Sequence, residues 1–376
     1  MTLSADERAR YQRHISLPQI GRSGQERLKA ARVLLVGTGG LGCPAALYLA
    51  AAGVGTLGLV DFDRVEISNL QRQVLFVSSD LGRLKVEAAR ERLLALNPDI
   101  TVRTHALTLR AENVCEIVGG YDIVLDGSDR LSTRYLVNDA CVLLGRPLVT
   151  AAIHRFEGQA MTYLPGQGPC YRCLFPHVQE GTAGSCAEAG VLGVLPGVLG
   201  AIQACEAVKI ATGIGTPLIS RLLCYDALDL TFTELPVSRR PECRVCGEHP
   251  DISAPENSGG LCNTEALVSA RRLSAAALRS LIAAGPTLVL VDVREPREFA
   301  AWHLDGARNI PLGELERRLA EIAGDGIPVF LCRSGQRSLA ACAIALRAGI
   351  SSPGHLEGGL LSWAAQIDAS FEVPLD

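Results

Sequence analysis

A glycine-rich turn near the amino terminus constrains the fold of this chain more than any other segment. The turn follows an apolar run at residues 33–36 and precedes a segment of small residues at 44–52 with helical character. A second apolar run, at 57–60, ends at Asp61. The glycines of the turn are Gly37, Gly39, Gly40 and Gly42. This order predicts a βαβ unit whose first turn lets a phosphate approach the amides at a helix N-terminus.

The βαβ unit does not by itself identify the nucleotide. An acid at the end of the second strand, Asp61, suits a ribose hydroxyl. Glycine turns of this kind are typical of nicotinamide- and flavin-dependent enzymes. An NAD(P)- or FAD-binding oxidoreductase is therefore the first hypothesis.

Composition narrows the class of protein. A chain of 376 residues with 48% apolar and 20% charged residues is long enough for about two to three folded domains. The net charge of −4 gives no reason to expect a nucleic-acid or membrane partner. Residues 1–14 are polar, unlike a secretory signal, so a cytoplasmic location is predicted. The 13 cysteines are then more typical of metal ligands, reactive thiols or core residues than of disulfides.

Two Cys-x-x-Cys pairs predict a structural zinc site. The pairs are Cys170 with Cys173, and Cys243 with Cys246. Four thiolates fill the tetrahedral shell of zinc and leave no open position for catalysis. Unrelated core cysteines and a redox dithiol are the alternatives. A shared zinc ion would make residues 1–248 one domain.

Charged residues downstream of the glycine turn favour ATP over a dinucleotide. A helix is predicted at residues 83–96, with Lys85 in its first turn, and Asp129 follows a predicted strand at 123–125. Together with Arg72, these side chains fall at strand ends or first turns on one edge of the sheet. Each alone suits a surface ion pair. Together they offer cations to phosphates and a carboxylate to Mg²⁺.

Five separated segments carry a resemblance to a known family. They are RYQRH at residues 10–14, GTGGLGC at 37–43, DFD at 61–63, SNLQRQ at 68–73 and PCYRC at 169–173. In these segments, and over roughly residues 5–248, the chain resembles the MoeB/ThiF/HesA family of ubiquitin-activating-like adenylyltransferases.

The resemblance implies that Mg-ATP is used to adenylate the C-terminal Gly-Gly carboxylate of a ubiquitin-like sulfur carrier protein, with release of pyrophosphate. It assigns the ribose to Asp61, the phosphates to Asn69, Arg72 and Lys85, and Mg²⁺ to Asp129. The ATP-binding residues implied in full are Gly37, Gly39, Gly40, Gly42, Asp61, Ser68, Asn69, Leu70, Gln71, Arg72, Lys85 and Asp129.

Three further positions follow from the resemblance. Arg13 matches an arginine that reaches into the partner subunit's site, which implies a homodimer. Cys186 matches a cysteine linked to the carrier through a thioester or persulfide, and an ordinary loop thiol is the alternative. Arg130 stands where the family has asparagine after the Mg²⁺-binding aspartate.

The last third of the chain predicts a second α/β domain. Residues 249–263 are rich in Pro, Ser, Asn and Gly and are interpreted as a linker to a domain at 264–376. A predicted strand at 328–331 ends in a loop, residues 332–338, which we call the sulfur loop. Its backbone amides are expected to converge on the sulfur of Cys332. Together with the dipole of the following helix, they would favour an anionic sulfur.

This second domain resembles a single rhodanese domain. The sulfur loop, CRSGQRS, has four residues between Cys332 and Arg337, whereas the related phosphatase loop has five between its cysteine and arginine. The shorter loop fits a sulfur atom better than a phosphate group. The segments at residues 292–295 and 302–303 support the resemblance. Cys332 would carry a persulfide stabilised by Arg333 and Arg337. A degenerate domain used only for docking is the alternative.

Together, the two parts predict an α/β protein: a Rossmann-like, ubiquitin-activating-type adenylation domain with a four-cysteine zinc site, and a small rhodanese domain. The Cys332 persulfide would displace AMP from the carrier to give a thiocarboxylate, as for molybdopterin synthase or a thiamin-type pathway. Thiosulfate or a cysteine desulfurase is the expected sulfur donor. An oxidoreductase with a rhodanese appendage and a non-catalytic docking protein are the competing hypotheses.

Overall fold

The computed structural model describes residues 2–176, 190–256, 270–284, 288–322 and 326–368. It divides into two compact units, Met1–Ser258 and Gly259–Asp376. Each unit combines helices with a largely or wholly parallel sheet, which confirms the predicted α/β fold class.

The first unit is built on an eight-stranded sheet. Its strands are β1 (Arg32–Val36), β2 (Thr56–Val60), β3 (Thr101–His105), β4 (Ile123–Asp126), β5 (Leu148–His154), β6 (Glu157–Tyr163), β7 (Arg221–Asp226) and β8 (Thr231–Pro236). Their order in the sheet is β3-β2-β1-β4-β5-β6-β7-β8. The strands from β3 to β5 in that order are parallel, and β5 to β8 are antiparallel.

Helices cover both faces of the parallel half of this sheet. They are α1 (Ala5–Arg10), α2 (Gln12–Ile15), α3 (Gly21–Ala30), α4 (Gly42–Ala52), α5 (Lys85–Leu96), α6 (Ala111–Gly119), α7 (Leu131–Leu143), α8 (Tyr171–Leu174) and α9 (Leu195–Thr212). Helices α4, α5 and α9 share one core with Val33 and Leu35 of β1. Helices α6 and α7 share the other core with Leu34 and Val36. Burial on both faces explains why β1 reads as an unbroken apolar run.

Strand register fixes where the site lies. Val36 at the end of β1 is level with Val60 of β2 and Asp126 of β4. The residues that follow these three strands, including Gly37 and Asp61, therefore emerge at one edge of the sheet. This is the carboxyl edge, where open α/β sheets bind ligands.

The second unit has a five-stranded parallel sheet. Its strands are β9 (Arg271–Leu273), β10 (Leu288–Asp292), β11 (Arg308–Asn309), β12 (Ile327–Leu331) and β13 (Gly354–Leu356), in the order β11-β10-β12-β13-β9. Its helices are α10 (Ala275–Ala284), α11 (Pro296–Ala301), α12 (Leu312–Arg318), α13 (Gln336–Arg347) and α14 (Gly359–Gln366). Cys332 follows the central strand β12, and the sulfur loop leads directly into α13.

Within the ranges described above, no helix has the length and apolar character needed to cross a lipid bilayer.

Candidate functional site

The glycine turn brings bare backbone to the N-terminus of α4. Gly37 has a φ of +88°, and a Cβ on Gly42 would lie 1.9 Å from the carbonyl oxygen of Gly37. Only glycine fits at position 42 without moving this backbone. The turn therefore leaves the first amides of α4 accessible to an anion.

Asp61 is tied to the glycine turn. Its Oδ2 accepts hydrogen bonds from Thr38 N at 2.8 Å and from Thr38 Oγ1 at 3.2 Å. Its Oδ1 accepts from Asp63 N at 2.9 Å. The carboxylate at the end of β2 is therefore held beside the turn, where the sequence predicts a ribose contact.

Lys85 is buried in the first turn of α5 and bound to a partner that the sequence analysis missed. Its Nζ lies 2.9 Å from Asp63 Oδ2, and its backbone N donates to Asp63 O at 3.0 Å. The lysine side chain is 7% exposed and the aspartate 49%. Asp63 therefore holds the lysine cation near the end of β2. The DFD motif was a usable signal, since Asp63 is its second acid.

Arg72 lies on the other side of the glycine turn. Its Nη1 donates to Ser68 O at 3.0 Å, and a Cβ on Gly40 would lie 3.7 Å from Arg72 Cδ. The guanidinium is thus fixed by the backbone of its own loop, with its aliphatic stem against the turn.

The rest of the SNLQRQ loop has mainly local roles. Asn69 is buried, and its Oδ1 accepts from Glu66 N at 3.1 Å. Leu70 packs against the core that contains α4 and α5. Gln71 is exposed beside Gly193, whose Cβ would lie 2.4 Å from Gln71 Oε1. Asn69 and Leu70 therefore shape the loop that presents Arg72.

The charges on both sides of the glycine turn act on Cys43, which lies in the first turn of α4. Burial raises the pKa of this thiol to about 12. The charges of Lys85 and Arg72 lower that pKa, while Asp61 raises it. Two cations and one carboxylate therefore act on the same helix N-terminus. Cys43 itself is a fully buried core residue.

Beyond β4, two aspartates have different environments. Asp126 is 1% exposed, its Oδ1 accepts from Ser128 N at 2.9 Å and Ser128 Oγ at 2.6 Å, and burial raises its pKa. Asp129 is exposed on the loop that follows. Asp129 is therefore the carboxylate available to a metal ion in solvent, whereas Asp126 shapes the loop.

Arg130 lies at the same edge of the sheet. Its guanidinium carbon lies 5.0 Å from the ring centroid of Phe62. Phe62 follows β2 and Arg130 follows β4, the two neighbours of β1. This cation–π contact therefore spans the strand that carries the glycine turn.

Two further predicted positions belong to the first unit, and only Arg13 is among the residues that the structure describes. Arg13 is exposed on α2, and among the described residues no hydrogen bond or ion pair joins it to the side chains above. Cys186 lies outside the described residues.

The four predicted metal ligands form a compact group. Cys170 Sγ is 3.6 Å from Cys243 Sγ, Cys173 Sγ is 3.4 Å from Cys246 Sγ, and all four sulfurs lie within 4.8 Å of one another. Sulfurs around a tetrahedral zinc ion, with Zn–S of about 2.3 Å, stand about 3.8 Å apart. Hydrogen bonds among the thiols lower the pKa of Cys173 to about 6. The donor set and spacing fit a closed zinc site.

Neighbouring side chains on α7 hold this cysteine cluster. Asn138 Oδ1 accepts from Tyr171 N at 2.8 Å, and Asn138 Nδ2 lies 3.8 Å from Cys170 Sγ. Asp139 forms a buried bidentate pair with Arg172, with both bonds at 2.7 Å. The first Cys-x-x-Cys pair is therefore anchored to one helix on both sides of Tyr171.

Replacing Cys173 by serine should abolish stoichiometric zinc binding and lower the unfolding temperature of the first unit by at least about 10 °C, because the free energy of metal binding is lost from folding. Metal content by plasma emission and calorimetric melting would measure both. The matched control is Cys205→Ser, an exposed cysteine on α9. Unchanged zinc content in Cys173→Ser would refute the site.

In the second unit, the backbone of the sulfur loop converges on Cys332 as expected. Gly335 N donates to Cys332 Sγ at 3.1 Å and Ser338 N at 3.3 Å. The sulfur is fully buried at the start of α13, whose dipole adds positive potential. Two amides and a helix N-terminus therefore favour negative charge on this sulfur.

The two predicted arginines differ in their surroundings. Arg337 is held by a bidentate ion pair with Glu298, at 2.7 and 2.9 Å, so part of its charge is already compensated. This pair also lowers the pKa of Glu298, against the effect of burial. Arg333 is partly exposed, and its guanidinium has no hydrogen bond or ion pair within the described residues. Glu298 was missed by the sequence analysis, because nothing in the local pattern pairs it with a residue 39 positions away.

Below the loop, Asp292 and Arg294 form a fully buried ion pair. Arg294 Nε lies 2.9 Å from Asp292 Oδ1, and Arg294 Nη2 donates to Trp302 O at 2.6 Å. The segment at residues 292–295 therefore ties the end of β10 to the chain at Trp302, which is a structural role.

Comparison with known proteins agrees with this geometry. Residues 11–245 match the model of the ThiF family, and residues 274–366 match the rhodanese-like domain. The first match contains the glycine turn and three of the four clustered cysteines, ending one residue before Cys246, and the second contains the sulfur loop.

Two curated relatives match nearly the whole chain, and a third matches about two thirds of it. The probable adenylyltransferase/sulfurtransferase MoeZ of Mycobacterium tuberculosis is 44% identical over 374 residues, covering 97% of this chain and 95% of that protein. The adenylyltransferase and sulfurtransferase MOCS3 of Sus scrofa is 42% identical over 98% of this chain and 88% of that protein. The sulfur carrier protein adenylyltransferase of Thermus thermophilus is 53% identical over 66% of this chain and 94% of its own length.

Among solved structures, E. coli MccB with ATP aligns with a TM-score of 0.54 and 25% identity, over 62% of this chain and 75% of that one. The alternatives left open by the glycine turn thus find no support among these relatives. This chain belongs to the ThiF family and carries a rhodanese-like domain after the ThiF domain.

Proposed function

We propose that this chain adenylates the C-terminal carboxylate of a ubiquitin-like sulfur carrier protein with ATP and then converts it to a thiocarboxylate. The observation that carries this proposal is the convergence of Asp61, Arg72 and Lys85 on the N-terminus of α4. A hydride-transfer site has little use for two cations there, whereas attack at a phosphate needs them. The names of the relatives support the same two activities.

In the first step, backbone amides of the glycine turn would bind phosphate and Asp61 the ribose. Arg72 and Lys85 would neutralise the phosphate oxygens. Asn69 would support the loop that carries Arg72. Lys85 would exchange its bond to Asp63 for one to phosphate. Asp129, the exposed carboxylate beyond β4, would hold Mg²⁺.

In the second step, the Cys332 persulfide would attack the acyl carbon of the carrier adenylate. The carbon–oxygen bond to AMP breaks, AMP leaves with the electron pair, and an acyl disulfide remains. A thiol reductant then cleaves the sulfur–sulfur bond and releases the thiocarboxylate. We propose Cys186 for a covalent link to the carrier in this exchange, and thiosulfate or a cysteine desulfurase as the source of persulfide sulfur.

Further parts of the proposal concern organisation. We assign the adenylyltransferase domain to residues 1–248, the linker to 249–263 and the sulfurtransferase domain to 264–376. The exposed position of Arg13 is compatible with an arginine that serves the partner subunit of a homodimer. The cysteine cluster would hold a structural Zn²⁺ ion. The enzyme would act in the cytoplasm, in molybdenum cofactor or thiamin-type sulfur chemistry.

A direct test is to incubate the full chain with ATP, Mg²⁺, thiosulfate, a thiol reductant and each candidate carrier, and to weigh the carrier by mass spectrometry. Replacement of one carrier oxygen by sulfur, dependent on ATP, is the expected result. The Arg72→Ala variant is the matched loss-of-function control. Stabilisation of the chain by NAD⁺ but not by ATP would instead favour the oxidoreductase, and absence of turnover with every carrier would favour a docking protein.

A further inference from the structure

A buried histidine lies behind the sulfur loop, and the steps above do not use it. His355 is 4% exposed on β13, level with Phe330 of β12 and Arg272 of β9. Its Nδ1 is 3.5 Å from Ser338 Oγ. Its Nε2 has no hydrogen-bond partner within the described residues. Since buried polar atoms are normally paired, the long contact to Ser338 and the unpaired Nε2 need an explanation.

Ser338 connects this histidine to the reacting sulfur. Its side chain is fully buried in the first turn of α13, and its Oγ lies 3.5 Å from Cys332 Sγ and 3.0 Å from Gly335 O. A hydroxyl has one proton to donate and two lone pairs to accept with. Gly335 O and an anionic Cys332 sulfur therefore compete for the same proton.

The backbone holds the three side chains in fixed relation. The segment after β13 returns to the sulfur loop, where Leu360 N donates to Cys332 O at 2.8 Å. A Cβ on Gly359 would lie 2.4 Å from the same carbonyl oxygen, so the two segments are in direct contact. These backbone contacts therefore hold His355, Ser338 and Cys332 close to one another.

We propose that Ser338 is a catalytic hydroxyl that donates to the anionic sulfur of Cys332, and that His355 is a positioning residue that donates from Nδ1 to Ser338. This proposal deepens the sulfur-transfer half of the proposed function and does not depend on adenylation. It adds a third donor to the two amides that already face the sulfur.

The protons balance as follows. In the thiol form, Cys332 S–H donates to Ser338 Oγ and the Ser338 hydroxyl donates to Gly335 O. When a base in solution removes the thiol proton, the hydroxyl turns to the sulfur, and the freed Oγ lone pair accepts from His355 Nδ1–H. Attack of this thiolate on thiosulfate forms a sulfur–sulfur bond, and sulfite leaves with the electron pair. The persulfide keeps the negative charge that the hydroxyl stabilises.

The charge state of His355 suits the role of a hydrogen-bond donor to Ser338 better than the role of a base. Burial lowers its pKa, and Arg272 on β9 lowers it further, against smaller opposite effects of Glu357 and of a backbone hydrogen bond with Leu356. The neutral imidazole, which has one N–H to place, is therefore favoured. The Nδ1–H tautomer puts that proton toward Ser338 Oγ and creates no buried charge.

The test uses the full chain, thiosulfate and cyanide, with no ATP or carrier. Ser338→Ala should lower kcat about tenfold or more with little change in the KM for thiosulfate, since a hydrogen bond to a charged group is lost. Ser338→Thr, which keeps the hydroxyl, should recover most of this loss. Alkylation of Cys332 by iodoacetamide, followed on its own peptide, should slow in parallel in Ser338→Ala.

His355 is tested by a matched pair of variants. His355→Leu removes the donor and should lower kcat severalfold, while His355→Asn keeps an N–H near the position of Nδ1 and should recover most of the rate. Equal loss in both variants would overturn the positioning role, and an unchanged kcat in Ser338→Ala would overturn the proposal as a whole. Carrier-dependent pyrophosphate release by Ser338→Ala separates this failure from failure of the adenylation step.

Discussion

Replacement of Cys332 by alanine is expected to abolish thiocarboxylate formation while carrier-dependent release of pyrophosphate from ATP continues. In the proposed mechanism, adenylation uses side chains of the first unit, around α4, whereas Cys332 is the sulfur at which two amides of the second unit converge. No other atom in the loop can carry the transferred sulfur. Mass spectrometry of the carrier and a coupled pyrophosphate assay would follow the two products.

The control for Cys332→Ala is Cys342→Ala, which removes another buried thiol from the same unit. Cys342 lies on α13, its Sγ donates to Gly354 O, and burial raises its pKa to about 12, so it is a core residue. This variant should keep both activities. Equal loss of both activities in Cys332→Ala would contradict the division of labour between the two units.

Replacement of Asp129 by alanine is expected to lower the rate of ATP–pyrophosphate exchange by a factor of about a thousand or more. Without its carboxylate, Mg²⁺ is no longer held against the phosphates, and the charge that develops on them is left to Arg72 and Lys85. The fold should survive, because Asp129 is exposed and its carboxylate has no hydrogen bond or ion pair within the described residues. Exchange of labelled pyrophosphate into ATP in the presence of carrier measures the effect.

Glu116→Ala gives the comparison for Asp129→Ala, since Glu116 is another exposed acid of the first unit, on α6. It should exchange at the rate of the unaltered protein, and both variants should melt at similar temperatures. If Asp129→Ala retained exchange, the Mg²⁺ role of this residue would be refuted.

Much of the parallel half of the fold was predictable because its strands are buried on both faces. The runs at 33–36 and 57–60 correspond to β1 and β2, and the helix predicted at 83–96 is observed from Lys85. It starts later than predicted because Leu84 has an extended ψ of 130° and acts as the N-cap residue. Local periodicity thus indicated the elements, while cap geometry decided their ends.

Partners distant in sequence were beyond such patterns. Lys85 and Arg337 were predictable as cations, but the acids that hold them, Asp63 and Glu298, were not predicted as their partners. Asp129 was predicted as a functional acid, whereas the burial of Asp126, at the end of β4, was not predicted. These pairings depend on strand register and helix packing, which one residue's neighbours in sequence do not specify.

Helix α7 has a consequence for how the first unit tolerates change. It starts at Leu131, next to Asp129 and Arg130, and spans about 20 Å, at 1.5 Å per residue, to Leu143. Arg134 fastens its first half to Ser128 O and Ala151 O, and its second half carries the side chains that grip the cysteine cluster. A single helix thus positions both the carboxyl edge of the sheet and the cysteine cluster, so a substitution that tilts α7 should displace both.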